Sequence, residues 1–355
     1  MQHISTAIND VMQQLPPPSS QPRPRVLPAP LPTEPTNLHE LIGQFEARES
    51  LENTDAIVPL KSLTMNEDGN VVVPDRGAFS FTEWSRKQCA SLLGIRWDRW
   101  FENADPKERA DELNRRFARA DGTVKVRTMR TLGDTAIGVL AAFVSPGYTP
   151  IADSRIARLL AGALGSTDPE LRLIRHNLTD KTTSYVIKIG ERYRQGGPGE
   201  VGDVWGGLLV RNSGVGYASF MVALHLTRLL CKNGMVAPVP DPILLRRRHR
   251  GASNDKLAAL LGEQLGELRE RLGHGVRVLH TAQERRVTDV LGTIREALRR
   301  ANLPLALSAR ISDAFNVEPN HSMFGISQAF TLAAQQTPPE MRLELERAAS
   351  NLLTN

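Results

Sequence analysis

The stretch WGGLLVRNSGVGYASFMVALHLTRLLCKNGMV (205–236), followed after a short proline-containing link by LLRRRHRG (244–251), decides how this 355-residue chain is read. Residues 204–211 are apolar enough for a strand, and Gly214-Val215-Gly216 turns the chain. From 217 to 232, Phe220, Ala223, Leu224 and Leu230 recur at helical spacing, which predicts an amphipathic helix. His225, Arg228 and Lys232 then fall at i, i+3 and i+7 and share one face. Asn233-Gly234 is a natural left-handed stop. Arg246, Arg247, Arg248 and Arg250, with His249 among them, follow as a dense basic run. Strand, glycine turn, helix and arginines with no obvious catalytic group favour binding over catalysis.

A strand, a glycine turn and a helix also invite a dinucleotide-binding reading. That fingerprint needs glycine or alanine where Ser219 stands and an acid about twenty residues on; neither is clearly present. What survives is a helix start whose backbone amides, assisted by Asn212 and Ser213, hold a phosphate. The arginines can each offer paired donors to phosphate. Their alternative is a solvated run, or ion pairs with the acidic start of the chain. His249 is a poor general base because its cationic neighbours lower its proton affinity, so it is read as a hydrogen-bond donor.

Outward from this segment, 171–178 and 184–189 read as strands preceding 204–211, and 190–203 as a long glycine-rich loop carrying Arg192 and Arg194. The series from 171 into the helix is thus β-β-β-α, an order similar to the core of the ring-forming single-strand annealing proteins of phages. Upstream, TVKVRTMRT (123–131) alternates like a half-exposed strand that sets Lys125 and Arg127 on one face; Gly133-Asp134 returns the chain into 135–143 as a hairpin. Asp153 or Ser154 caps a helix through Leu164. Ser80-Phe81-Thr82-Glu83 is a capping-box pattern for a helix over 81–93, and Trp97, Trp100 and Phe101 read as core.

The ends differ in kind. LPPPSSQPRPRVLPAPLPTEP (15–35) is too rich in proline for helix or sheet, so 1–37 is expected to be an arm, a tether or a docking peptide for a protein partner. A short helix over 38–52 and a polar, uncommitted stretch fill 38–78. An α+β core domain spans 79–252, and helices at about 254–272, 282–301, 311–315, 323–334 and 339–353 make 253–355 a helical subdomain. The expected fold is α+β: a mainly antiparallel sheet flanked by helices, with a helical C-terminal part.

The charge of +5 hides an asymmetry: of 44 Lys+Arg and 39 Asp+Glu, the first 80 residues hold 5 and 10, leaving 39 against 29 for the rest. A basic body suits a polyanion partner. No apolar run is long enough to span a membrane, and MQHISTAINDVMQQL lacks the start of a signal peptide, so a cytoplasmic product is expected. Cys89 and Cys231 are too few for a disulfide framework or a cysteine-rich zinc site and are expected reduced and buried.

Several ordered pieces resemble the phage- and plasmid-borne proteins that carry the domain of unknown function numbered nine hundred and thirty-two. They are LLGI (92–95), VSPGYTPIAD (144–153), LLVRNSGVG (208–216), RLLCKNGM (228–235), RRRHRG (246–251) and SMFGISQAFTLAA (322–334), together covering about 79–335. The resemblance implies an accessory protein of mobile elements, concerned with DNA replication, recombination or maintenance. Family members usually carry an acid after the asparagine-serine pair, where this chain has Gly214, so no role of that carboxylate carries over.

The leading expectation is therefore a nucleic-acid-binding, oligomeric accessory protein that prefers single-stranded DNA and needs no cofactor. Lys125, Arg127, Arg192, Arg194, Asn212, Ser213, His225, Arg228, Lys232 and the 246–250 run would carry the binding. Two alternatives belong to other classes. One is a metal-dependent nuclease using Glu200 and Asp203; the other is an interaction module that recruits a partner through its arm.

Overall fold

A computed structural model describes residues 35–95, 104–130, 137–165, 171–193, 204–228, 234–236, 242–251 and 254–354. The fold is α+β, with two sheets, ten helices among the described residues, and the last helices gathered at the C-terminal end. The arm, the tryptophans at 97 and 100 with Phe101, and Cys231 lie outside the described residues; Cys89 is free and buried, its thiol pushed up to about 12 by burial.

The first sheet has the strand order β1-β5-β6-β4-β3-β2, with β1 Ala56–Pro59, β2 Thr64–Met65, β3 Val71–Val73, β4 Gly77–Phe81, β5 Thr123–Met129 and β6 Gly138–Val144. All its pairings are antiparallel except β4 with β6. The stretch expected to be uncommitted thus supplies three strands. Val71 and Val73 alternate inward in only three residues, too short a pattern to stand out from its polar surroundings. Helices α2 (Glu83–Leu92) and α3 (Pro106–Arg119) close one core over this sheet around Leu63, Leu113, Phe117, Val126 and Leu140. The capping box of α2 is Thr82 with Ser85, two residues beyond the expected start.

The second sheet runs β11-β10-β9-β8-β7, and β12 also pairs β10; every pairing is antiparallel. Its strands are β7 Leu173–Leu178, β8 Thr183–Tyr193, β9 Val204–Asn212, β10 Phe220–Arg228, β11 Gly234–Val236 and β12 Ile243–Arg247. The helix expected over 217–232 is therefore corrected to a strand. Phe220, Val222, Leu224 and Leu226 enter one core, while Met221, Ala223, His225 and Thr227 are buried on the opposite face. A strand covered on both faces is apolar throughout and carries no period that separates it from a buried helix. What decides is the free edge of β9, which β10 satisfies from Met221 to Arg228. The β-β-β-α series is accordingly a four-stranded meander, and the likeness to annealing-protein cores that rested on it falls away.

On one face of this sheet lie α1 (Leu38–Glu49), α4 (Asp153–Leu164), α5 (Asn254–Leu265) and α6 (Leu268–Glu284), around Phe45, Leu160, Tyr185 and Phe220. Neither Asp153 nor Ser154 is the N-cap of α4; Ala152 is, and it contributes no side-chain bond. The first turn is capped from afar, by the Glu49 carboxylate accepting from the Ser154 amide at 3.0 Å and from its hydroxyl. Helices α7 (Val290–Arg300), α8 (Leu307–Val317), α9 (Met323–Gln335) and α10 (Pro339–Thr354) share a separate core around Ile294, Ile311 and Phe330.

Helix α10 also covers the other face of the second sheet, where Leu343 packs on Val186, Leu209, Met221 and Ala223. Glu346, fully buried there, accepts from both terminal nitrogens of Arg175, one at 2.6 Å, and from Arg342 Nε at 3.1 Å. His225 Nε2 stands 3.7 Å away, and its Nδ1 meets the Thr227 hydroxyl at 3.2 Å. Burial alone would raise the Glu346 carboxyl, yet Arg175 and His225 hold it down at about 2, below its ordinary 4.5. Burial dominates at His225 and keeps the imidazole below its ordinary 6.5.

Both groups bind protons more readily in the unfolded chain, so their contributions to stability fade with acid: that of His225 as pH drops below 6.5, that of Glu346 from 4.5 towards about 2. Glu346→Gln leaves two guanidiniums without their shared carboxylate and is expected to cost about 3–5 kcal/mol at neutral pH. Urea unfolding at a series of pH values checks this. The gap between the two proteins should narrow below pH 4.5, and a gap that stays constant to pH 2.5 would contradict the assigned carboxylate.

Candidate nucleic-acid interface

Three of the pieces quoted from the sequence meet where the two sheets join. The β9–β10 turn enters this junction through Gly216, whose φ of +78° and whose closeness to Val144, where an added Cβ would lie 3.1 Å from Cγ1, leave little room for a side chain. The Tyr148 hydroxyl donates to the Ser213 carbonyl at 2.7 Å, and its ring stacks on His249 at 5.1 Å. Trp84 Nε1 and Gln88 Nε2 of α2 donate to the Val215 carbonyl at 3.0 and 3.2 Å. One tyrosine thus links 144–153 to both 208–216 and 246–251.

Asn212 and Ser213 serve this joint from the inside. Asn212 Nδ2 donates to the Ile151 carbonyl at 2.8 Å and to Asp153 Oδ1 at 2.7 Å; Ser213 Oγ donates to the Lys181 carbonyl and accepts from the Tyr217 amide. Both residues are buried, and the turn leads into a strand, so the helix start they were expected to extend does not exist there.

Lys125 and Arg127 share a face of β5 as the alternation requires, but that face packs into the junction instead of facing solvent. Lys125 donates to the Tyr148 carbonyl. Arg127 is 7% exposed; its Nε pairs with Asp55 at 3.0 Å, one Nη with Glu52 at 2.6 Å, and the other donates to the Gly214 carbonyl. Burial works against its charge, and Glu52 and Asp55 overcome it, leaving the guanidinium more basic than usual. Burial in turn raises the Glu52 carboxyl in spite of Arg127. Beside them is a cavity of about 30 Å³, room for about one water, lined by Arg48, Glu49, Glu52, Arg127, Asp153 and Gly214.

His225 and His249 are buried as well. His225 lies under α10 on β10, so the expected stripe with Arg228 and Lys232 does not form on a helix face. The His249 ring is buried between Tyr148 and the backbone of Ala218 and Thr149; burial lowers its pKa. Arg192 and Arg228 are placed by their backbones on β8 and β10. Their side chains, and Arg194, Lys232, Glu200 and Asp203 entirely, lie outside the described residues. Among the described residues, no group of three or more His, Cys, Asp or Glu is arranged to hold a metal ion.

The arginine run behaves differently. Arg246, Arg248 and Arg250 are exposed and Arg247 is half-buried, and no carboxylate among the described residues lies within ion-pair distance of any of them. The acidic start of the chain pairs elsewhere: Glu52 and Asp55 with Arg127, and Glu46 with Arg158. Strand pairing adds two arginines that the sequence reading passed over. Met221 is opposite Arg211 on one side and Arg246 on the other, and Arg347 of α10 reaches Met221 Sδ at 2.8 Å. Arg211 was visible at the end of an apolar strand, but its neighbours depend on a register that was read as helix.

The chain matches no family model, no curated protein and no solved structure. No helix among the described residues is long and apolar enough to cross a membrane.

If Tyr148 is a joint and not a contact to ligand, Tyr148→Phe leaves the Ser213 carbonyl without its donor and is expected to cost about 1–3 kcal/mol. Thermal unfolding measures the loss, and oligonucleotide affinity at a temperature where both proteins are folded should be unchanged. A weaker affinity at full stability would place Tyr148 in the interface instead.

Proposed function

We propose that this chain binds nucleic acid through the phosphodiester backbone, as an accessory protein of the mobile-element family that its motifs resemble. The single observation that carries the reading is the run 246–250, where three exposed guanidiniums stand without a carboxylate partner among the described residues while the inward-facing Lys125 and Arg127 have intramolecular partners. Leaving like charges unpaired on one edge strand is unfavourable for the isolated protein. A polyanion removes that repulsion and releases its own counterions. The strand β12 presents Arg246 on the face beside α10 and Arg247 on the other, because they pair with Met221 and Phe220 respectively.

An electrostatic grip of this kind reads backbone and not base sequence. Binding of labelled single-stranded DNA, duplex and RNA across a salt series, with particle size followed alongside, tests the reading and the expected preference for single strands. Arg246→Ala, Arg248→Ala and Arg250→Ala combined should weaken binding and flatten the slope of log affinity against log salt by about 2 for a single strand. An unaltered affinity and slope in the folded triple variant would remove the run from the interface.

A further inference from the structure

We propose that Arg211, Arg246 and Arg347 form a phosphate site that Glu344 occupies in the free protein. The inference rests on the nucleic-acid reading and adds to it a defined subsite, two of whose arginines lie outside the basic run.

The placement follows from strand register. Neighbouring strands lie about 4.8 Å apart, so Arg211 and Arg246, each directly opposite Met221, flank it on the same face of the sheet. The helix α10 crosses this face, anchored by Leu343 in the apolar cluster around Met221 and by the buried Glu346. One turn of α10 therefore projects Glu344 and Arg347 over the same spot. Arg347 reaches down to Met221 at 2.8 Å, into the gap between the two strand arginines. Arg347 thus contacts the side chain of the residue that Arg211 and Arg246 flank in register.

Among the described residues, one carboxylate serves two of the three. Glu344 lies 3.3 Å from Arg347 and 3.8 Å from Arg211, and Arg246 has no acidic partner among the described residues. The contacts are loose for ion pairs, and the Glu344 side chain is 43% exposed while Arg211 and Arg347 are 15% and 25% exposed. Arg211 and Arg347 are therefore held by packing, and the carboxylate is free to swing away. Arg211 and Arg246 both act to make Arg347 less basic than usual, after burial itself, so their charges are felt at its guanidinium. A single phosphodiester brings the same charge as one carboxylate, and a run of them or a free phosphate compound brings more; guanidiniums bind either with paired donors. Exchange of Glu344 for successive phosphates of a strand, or for a free phosphate compound, neutralises the cluster further, with Met221 beside it.

The chemistry fits either a phosphate of a nucleic-acid backbone or a free phosphate compound, and two probes separate them. Inorganic pyrophosphate is titrated by calorimetry, and a fluorescein-labelled 20-nucleotide strand by anisotropy at low salt, with the full chain and with Glu344→Gln and Arg347→Gln. Glu344→Gln removes the competing charge and should tighten both probes by about twofold to fivefold. Arg347→Gln should weaken both by about tenfold. A gain of affinity cannot arise from a damaged fold, so the first variant keeps the test sound if the second is unstable. Pyrophosphate that responds while the oligonucleotide binds neither variant nor parent supports the site and overturns the nucleic-acid reading. An oligonucleotide affinity that falls in the combined Arg246, Arg248 and Arg250 variant yet ignores Glu344→Gln overturns the site and leaves that reading in place. Glu344→Gln with unchanged or lower affinity for both probes overturns the proposal.

Discussion

The two sheets are held in register by one buried guanidinium. Arg127 leaves the middle of the first sheet and meets Glu52 and Asp55 from the segment that follows α1, then the Gly214 carbonyl at the turn of the second sheet. A charge this deep is tolerated only when its donors are filled and its sign is opposed. The partners come from two distant parts of the chain, so the contact forms only when the segment after α1, β5 and the β9–β10 turn are all in place. The polar seam around it extends the same logic: Glu49 caps α4, Asp153 holds Asn212, and Asn212 holds the Ile151 carbonyl. Beside it Ala141, Ala142, Val144, Tyr148 and Val215 form an apolar cluster, so the joint combines burial with polar geometry.

Away from the seam, the second sheet is an ordinary product of burial with one electrostatic pin. Its central strands are covered on both sides, by α1, α4, α5 and α6 on one face and by α10 on the other. The last helix of the chain thereby closes a sheet formed more than a hundred residues earlier. Glu346 fixes its position, because a buried carboxylate must lie where Arg175 and Arg342 can reach it. An apolar residue at 346 would pack, but it would let α10 slide along the sheet. Arg347 and Glu344 are adjacent to this pin on the helix, so the basic rim inherits its precision from Glu346.

Much of the architecture was legible in residues with a clear period or a strong local signal. The strands β5 to β9, α4 and the helices α8 to α10 emerged near their actual places because their apolar positions repeat and because Gly133-Asp134 breaks the pattern, whereas the helices expected over 254–272 and 282–301 are three, with α6 running through the expected gap. β10 was misread for a physical reason. Phe220, Ala223, Leu224 and Leu230 do match helical spacing, and nothing local reports that Met221, Ala223 and His225 are covered by a helix 120 residues on. The site suffered the same limit. Lys125 and Arg127 looked like surface cations because their partners, the Tyr148 carbonyl and the acids at 52 and 55, are remote in sequence. Arg211 and Arg347 were passed over because only the register brings them to Arg246.

Charge placement gives the molecule its two-sided character. The acidic first 80 residues do not screen the basic body uniformly; their carboxylates are directed to particular cations and a helix start within the fold. Neutralisation is therefore local, and it ends at the edge strand β12. The cations beyond that edge belong to the face where α10 leaves the sheet, and they are held by a packed strand and a pinned helix instead of a loose tail. Rigid guanidiniums lose less side-chain freedom on meeting a phosphate than those of a mobile segment. The ion pairs that build the joint thus engage carboxylates of the acidic start and leave Arg246, Arg248 and Arg250 without one among the described residues.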